Sequence, residues 1–183
     1  MRHALGEALA LKAERRDAVP IAGGTDLMVE LNFDRRRPDA LLDLKGVPEL
    51  AGWERVNGSI RIGAGVTFTR MIKELGQLVP GLAIAVRTVG SPQSRNRRTL
   101  GGQLGTASPA GDALPPLVSV DATVENASTR GERTVPVRGF FTGPKRNVLA
   151  PHEMVRAVRV PLADGPQQFA KVGTRNAIEM RRG

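Results

Sequence analysis

Hydrophobic and polar positions change rhythm several times along the chain. Over residues 5–16, Leu5, Ala8, Leu9, Leu11 and Ala13 alternate with charge at helical spacing. Val19-Pro20-Ile21-Ala22 reads as a short strand, Gly23-Gly24 as a turn, and Thr25-Asp26 as the start of a helix over residues 27–33. Pro38 closes that stretch and residues 40–44 form a second strand, so the order is strand, glycine turn, helix, strand: a βαβ unit. After Pro48 the rhythm becomes that of an antiparallel sheet. Residues 53–56 and 60–62 flank Asn57-Gly58, a strong hairpin signal. Helices are predicted over residues 67–75, with Thr67 or Thr69 as cap, and over 80–89. Residues 91–110 carry no periodicity and read as a long loop rich in Gly, Ser, Thr, Asn and Arg. Residues 112–118 turn helical despite their prolines, and strand-like alternation returns at 121–126, 133–137, 154–160 and 168–172. The expected class is α+β, with a small α/β part followed by a larger, mostly antiparallel one.

Composition narrows the chemistry. With 40% hydrophobic residues in 183, the chain has enough apolar material for a packed core. No apolar run approaches the roughly 20 residues of a membrane span, and the first residues lack the apolar stretch of a signal peptide, so the cytoplasm is the expected location. Cysteine is absent, which excludes disulfides, iron–sulfur ligation and cysteine zinc sites within these residues. Two histidines leave no material for a histidine metal site. Any redox group would be an organic cofactor. The net charge of +9 first suggests nucleic acid. Aromatics at 3%, with no tyrosine, give no stacking platform for single strands, and the arginines are scattered in small groups, so nucleic acid is not expected.

Two glycine segments could carry ligand chemistry. Ala22-Gly23-Gly24-Thr25-Asp26-Leu27 joins a strand to a helix, where glycine lets a phosphate approach the backbone. The alternative is a tight turn capped by Thr25. Asp26 would repel a phosphate unless its carboxylate turns aside to cap the helix. The second segment runs from Thr99 to Asp112. It offers backbone donors at Gly101 and Gly102, hydroxyls at Thr99, Thr106 and Ser108, and a carboxylate at Asp112 suited to ribose hydroxyls. The alternative there is a mobile loop. Neither segment is a Gly-x-Gly-x-x-Gly or P-loop fingerprint. Nucleophilic catalysis finds no support, since Ser108 has no histidine nearby in sequence and His152 sits in a Pro-His-Glu loop.

Together, Ala22 to Leu27 and Thr99-Leu100-Gly101-Gly102-Gln103 resemble the paired pyrophosphate loops of the medium, FAD-binding subunit of molybdenum hydroxylases of the xanthine and carbon-monoxide dehydrogenase type. The stretches Ile62-Gly63-Ala64-Gly65-Val66-Thr67, Val89-Gly90-Ser91-Pro92-Gln93 and Ala107-Ser108-Pro109-Ala110-Gly111-Asp112-Ala113-Leu114-Pro115 resemble that family too, in the same order, from about Ala18 to Thr174. The resemblance implies a two-subdomain FAD-binding PCMH-type fold like that of vanillyl-alcohol oxidase. Residues 1–46 would be its small α/β subdomain and 47–165 its antiparallel subdomain, with 166–183 opening a truncated C-terminal domain.

The resemblance also implies a role. FAD would take electrons from an iron–sulfur small subunit, which receives them from a molybdopterin-containing large subunit, and pass them to NAD or another acceptor. The implied assignments put pyrophosphate on the backbone N–H groups of Ala22, Gly23, Gly24, Thr25 and Asp26, and of Thr99, Leu100, Gly101, Gly102 and Gln103. Thr106 and Ser108 would add hydroxyls, Asp112 would bind the adenosine side, Val89 and Val155 would pack near the flavin rings, and Lys171 would lie near the isoalloxazine. Two departures stand out: Gln103 where the family usually has Asn or Asp, and Arg98 where it usually has Gly. The rival reading from these residues is a flavin-free basic binding module that keeps the fold.

Overall fold

The computed structural model describes residues 4–172. Helix α1 (Leu5–Glu14) leads into β1 (Val19–Ile21), then α2 (Leu27–Asn32) and β2 (Leu41–Asp43). β1 and β2 pair in parallel, Val19 opposite Leu41 and Ile21 opposite Asp43, as a βαβ reading requires. No residue of α2 is buried. The small half is therefore held by α1 and β2, whose Leu5, Ala8 and Leu42 belong to the main core, and not by its own helix.

A 3₁₀ turn at Pro48–Leu50 leads to β3 (Trp53–Val56) and β4 (Ser59–Gly63). Asn57 and Gly58 between them both take positive φ, 47° and 71°, the conformation that gives a two-residue hairpin its twist. Four helices follow: α3 (Phe68–Glu74), α4 (Pro80–Arg87), α5 (Pro92–Arg97) and α6 (Leu100–Thr106), then α7 (Leu114–Ser119). The chain finishes with β5 (Thr123–Ser128), β6 (Gly131–Pro136), α8 (Val137–Phe140), the small hairpin β7 (Phe141–Gly143) and β8 (Arg146–Asn147), and β9 (Met154–Pro161). The antiparallel sheet has the order β3-β4-β9-β5-β6, so the last strand is inserted at its centre. That placement explains the burial of β9, where Met154, Val155, Ala157, Val158 and Val160 are all in the core.

One continuous apolar core joins both halves, from Leu42 through Ile60, Ile62 and Phe68 to Leu117, Phe140 and Val158. The sheet carries one buried charge. Glu125 on β5 accepts hydrogen bonds from Arg61 Nε at 2.7 Å and Arg159 Nη2 at 3.1 Å. Burial alone would raise its pKa, but the two guanidinium groups outweigh that and hold it below the usual carboxylate range.

Two expectations need correction. Residues 91–110 are not a loop: they form α5 and α6, with only residues 98–99 and 107–110 between and after them. Both helices lack an apolar period because they are short and α6 holds three glycines. What stabilises α6 is a cap and tertiary docking, as described below. Residues 168–172 form no strand. The residue just before that segment is tied to α4, where Gln167 Oε1 accepts the Gly81 N–H at 3.0 Å.

Candidate functional site

The first glycine segment leaves β1 and enters α2. A side chain at Gly23 would overlap the carbonyl oxygen of Arg97, so this loop lies directly against the backbone that joins α5 to α6. Gly24 has φ +74°, a conformation that L side chains rarely adopt. The backbone N–H groups of Gly23, Gly24, Thr25 and Asp26 have no protein acceptor among the described residues. A run of four donors without protein acceptors is a strong anion-binding surface. Asp26 does turn aside, as the sequence requires, but not to cap the helix. Its carboxylate accepts from Arg98 Nη2 at 3.1 Å and from the Thr106 hydroxyl at 3.5 Å.

The second segment is used differently. Thr99 caps α6, its Oγ1 accepting the Gly102 N–H at 3.1 Å. The Leu100 N–H reaches Val66 O at 3.2 Å, that of Gly101 reaches Ala64 O at 2.9 Å, and that of Gln103 reaches Thr99 O at 3.1 Å. A Cβ on Gly101 would lie 2.5 Å from that of Ala64, so this glycine serves helix-to-strand packing rather than phosphate approach. Leu100 and Leu104 are fully buried beneath it. Four of the five 99–103 donors expected to hold pyrophosphate are thus bonded within the protein, unlike those of the first loop.

Between the loops lies a cleft of about 450 Å³. Ala22, Gly23, Gly24, Thr25 and Asp26 form one wall, and Thr99, Gly101, Gly102, Gly105 and Thr106 the other. Leu50, Ala64, Met154 and Val155 give it an apolar floor. Four cations line it: Lys12, Arg36, Arg98 and Lys145. Lys145 donates to Glu30 Oε1 at 2.5 Å, and Arg36 lies 3.7 Å from Glu30 Oε2. The Lys145 ammonium holds the Glu30 carboxyl below its usual range. Lys12 donates to the carbonyls of Arg16 and Ala18, at 2.7 and 2.6 Å, and burial pushes its pKa down. Sequence reasoning missed Lys12, Glu30 and Arg36 as lining residues, and Lys145 and Asn147 with them. Lys145 and Asn147 arrive on the β7–β8 hairpin, far along the chain, and no local signal ties them to the first loop. The hairpin is docked by the Lys145 N–H on Ala107 O at 2.8 Å and by Asn147 Nδ2 on Gly105 O at 3.0 Å.

Other expected site residues fall outside the cleft. Val89 and Leu100 are core residues. Gln103 is buried and neither its amide oxygen nor its nitrogen has a partner among the described residues. Ser108 accepts the Ala110 N–H at 3.4 Å in a local turn. Asp112 accepts from Lys171 Nζ at 3.0 Å and from the Thr88 hydroxyl at 3.3 Å. The two residues that the resemblance assigns to the adenosine side and to the isoalloxazine are thus bonded to each other here.

The βαβ unit, the antiparallel sheet and a cleft walled by two glycine segments define a flavin-binding class of domain. Residues 2–163 match the family model of the FAD binding domain in molybdopterin dehydrogenase, and the chain belongs to that family. It is 37% identical to the nicotinate dehydrogenase FAD-subunit of Eubacterium barkeri over 183 residues, 95% of this chain and 62% of that protein. Among solved structures it is similar to quinoline 2-oxidoreductase from Pseudomonas putida 86, with TM-score 0.85 and 31% identity over 88% of this chain and 57% of that one. It is also similar to carbon monoxide dehydrogenase from Hydrogenophaga pseudoflava, with TM-score 0.84 and 33% identity over 88% and 58%. The chain thus spans less than two thirds of the length of each. Its fold is the α+β FAD-binding fold of that family. No described helix is long and apolar enough to cross a membrane.

Proposed function

We propose that this chain is the FAD-holding part of the flavin subunit of a molybdenum hydroxylase, an oxidoreductase complex acting in the cytoplasm. Its partners are a molybdopterin-containing large subunit and an iron–sulfur small subunit. Electrons from the iron–sulfur clusters pass through FAD to NAD or another acceptor. In this reading residues 1–46 and 47–165 are the two subdomains that grip FAD, and most of the expected further segment, residues 173–183, lies outside the described residues.

The observation that carries the reading is the run of N–H groups without protein acceptors, among the described residues, at Gly23, Gly24, Thr25 and Asp26, residues that line a cleft whose opposite wall is glycine-rich. Those donors suit a diphosphate, and on the facing wall the missing side chain at Gly105 leaves open space beside the backbone. Val155 and Leu50 give an apolar surface for the non-phosphate parts. FAD, once bound, supplies the electron-accepting chemistry. This chain's own residues bind and orient it: the N–H groups of the first loop position the diphosphate, Thr99, Gly102 and Thr106 shape the facing wall, and Ala22 and the cleft floor limit where the rest can lie. Asp112 and Lys171 are assigned to structure around α4 and α7.

Purified protein incubated with FAD and desalted is expected to be yellow, with about one flavin per chain by absorbance. A colourless protein that takes up no added FAD would overturn the reading and leave the flavin-free binding module in its place.

A further inference from the structure

Of the four cations in the cleft, three have anchors away from the first glycine loop: Lys12 on two backbone carbonyls, and Arg36 and Lys145 on Glu30. Arg98 differs. Its partner is Asp26, which belongs to the loop that presents the unbonded N–H groups. Its backbone is fixed on both sides, the N–H on Ser94 O at 2.8 Å and the carbonyl accepting the Phe68 N–H at 3.0 Å. Its side chain is largely covered, with 23% of its surface exposed, and its buried Nε has no acceptor among the described residues. A carboxylate in a diphosphate cradle is unfavourable unless something neutralises it, and an unsatisfied guanidinium donor beside it is unfavourable too. An anion that takes the guanidinium satisfies that donor, and Asp26, left with the Thr106 hydroxyl, then opposes the ligand as a like charge.

We infer that Arg98 is the cationic arm of the diphosphate site, held by Asp26 and moving onto the diphosphate of the ligand. The inference rests on the FAD reading above and assigns a side chain to a site that otherwise consists of backbone. A planar guanidinium can donate two parallel hydrogen bonds to phosphate oxygens, which an ammonium cannot. The alternative role is a staple, in which the ion pair only fastens the first loop to the second. The two roles predict opposite signs for Asp26. As a switch partner, Asp26 competes with the ligand for Arg98 and repels it. As half of a staple, it helps.

The test titrates the 183-residue chain and its variants with FAD, by quenching of flavin fluorescence, and with inorganic pyrophosphate, by calorimetry. Arg98→Ala is expected to weaken FAD about 10- to 100-fold, the range of a hydrogen bond to a charged group, and to flatten the salt dependence of binding. Arg98→Lys should recover only part of that loss. Asp26→Asn is expected to tighten FAD about fivefold, as removal of one nearby like charge would. Weaker binding in both Arg98→Ala and Asp26→Asn, with unchanged salt dependence, would make the pair a staple and overturn the inference. Unchanged binding in Arg98→Ala would do so as well. Circular dichroism checks that each variant folds, and Asp26→Asn gives a sign of its own if Arg98→Ala does not. Pyrophosphate that binds the wild type through Arg98 while FAD does not would sustain the anion site and remove the flavin. Failure of both probes on the wild type would remove both readings.

Discussion

The two glycine segments look alike in sequence and are used in opposite ways. In the first, Gly23 packs on the Arg97 carbonyl and Gly24 takes positive φ, yet four consecutive N–H groups have no protein acceptor among the described residues, and the following helix α2 buries nothing. In the second, Gly101 lets α6 press against Ala64, and the N–H groups of Leu100, Gly101, Gly102 and Gln103 are all bonded within the protein. Close packing thus needs a glycine in both segments, Gly23 on the Arg97 carbonyl and Gly101 on Ala64, and what separates the segments is that only the first keeps its N–H groups without a protein acceptor. A rigid wall facing an open cradle is a sensible division of labour: one side fixes the shape of the cleft, and the other keeps its hydrogen-bonding capacity for the ligand.

The largest expected effects come from placing a methyl group at the contact glycine of each segment. Gly101→Ala drives Cβ into Ala64, whose Cα, Cβ and O are all within 2.9 Å of it. Overpacking of that kind costs roughly 1–3 kcal/mol, which for a chain of this size lowers Tm by roughly 2–12 °C. Gly23→Ala meets the Arg97 carbonyl instead. The first loop, with no buried residue in α2 to hold it, is expected to lift away. FAD affinity should fall at least about tenfold, a change of about 1.4 kcal/mol in binding, while Tm changes less than in Gly101→Ala. Thermal melts and FAD titrations on the two variants check this. The reverse pattern, with Gly23→Ala the less stable and Gly101→Ala the weaker binder, would break the comparison.

A smaller effect separates the cap from the cradle. Thr99→Ala removes the oxygen that accepts the Gly102 N–H. Loss of an N-cap costs about 1 kcal/mol, or roughly 2–4 °C in Tm at this chain length. Because the donors of the first loop are untouched, FAD binding should weaken by no more than about threefold, measured by the same titration. A loss comparable to that of Gly23→Ala would place Thr99 in direct contact with the ligand.

Much of this arrangement was legible in the residues, and the exceptions have physical causes. The βαβ unit could be read because Val19-Pro20-Ile21, Gly23-Gly24 and residues 41–43 each carry a local signal. Asn57-Gly58 named its own hairpin. α6 was not legible, because Gly101, Gly102 and Gly105 argue against a helix and its support comes from Thr99, Ala64 and Val66. Within the site, the first loop could be read from its glycines. The roles of Leu100, Gly101 and Gln103 could not, since a glycine needed for packing and one needed for phosphate look the same in a sequence. The Asp26–Arg98 pair was hidden for another reason: the partners are 72 residues apart, and the objection that a carboxylate raises at a phosphate loop did not say which cation answers it.

Gly105 gives the smallest and finest test. It lies in α6, lines the cleft, and a Cβ there would meet nothing within 4 Å. Its carbonyl, which accepts from Asn147, is unaffected by a side chain. Alanine is the better helix residue, so Gly105→Ala should stabilise the fold by about 0.5 kcal/mol and raise Tm by roughly 1–2 °C. If the ligand rests mainly on the first loop, a methyl on the facing wall takes up space without removing a hydrogen bond. FAD affinity should then change by no more than about twofold. A tenfold loss with a raised Tm would mean that the ligand is pressed against the exposed side of α6. The second segment would then be a contact surface despite its bonded N–H groups, and the division of labour between the two loops would have to be redrawn around van der Waals contact rather than hydrogen bonding.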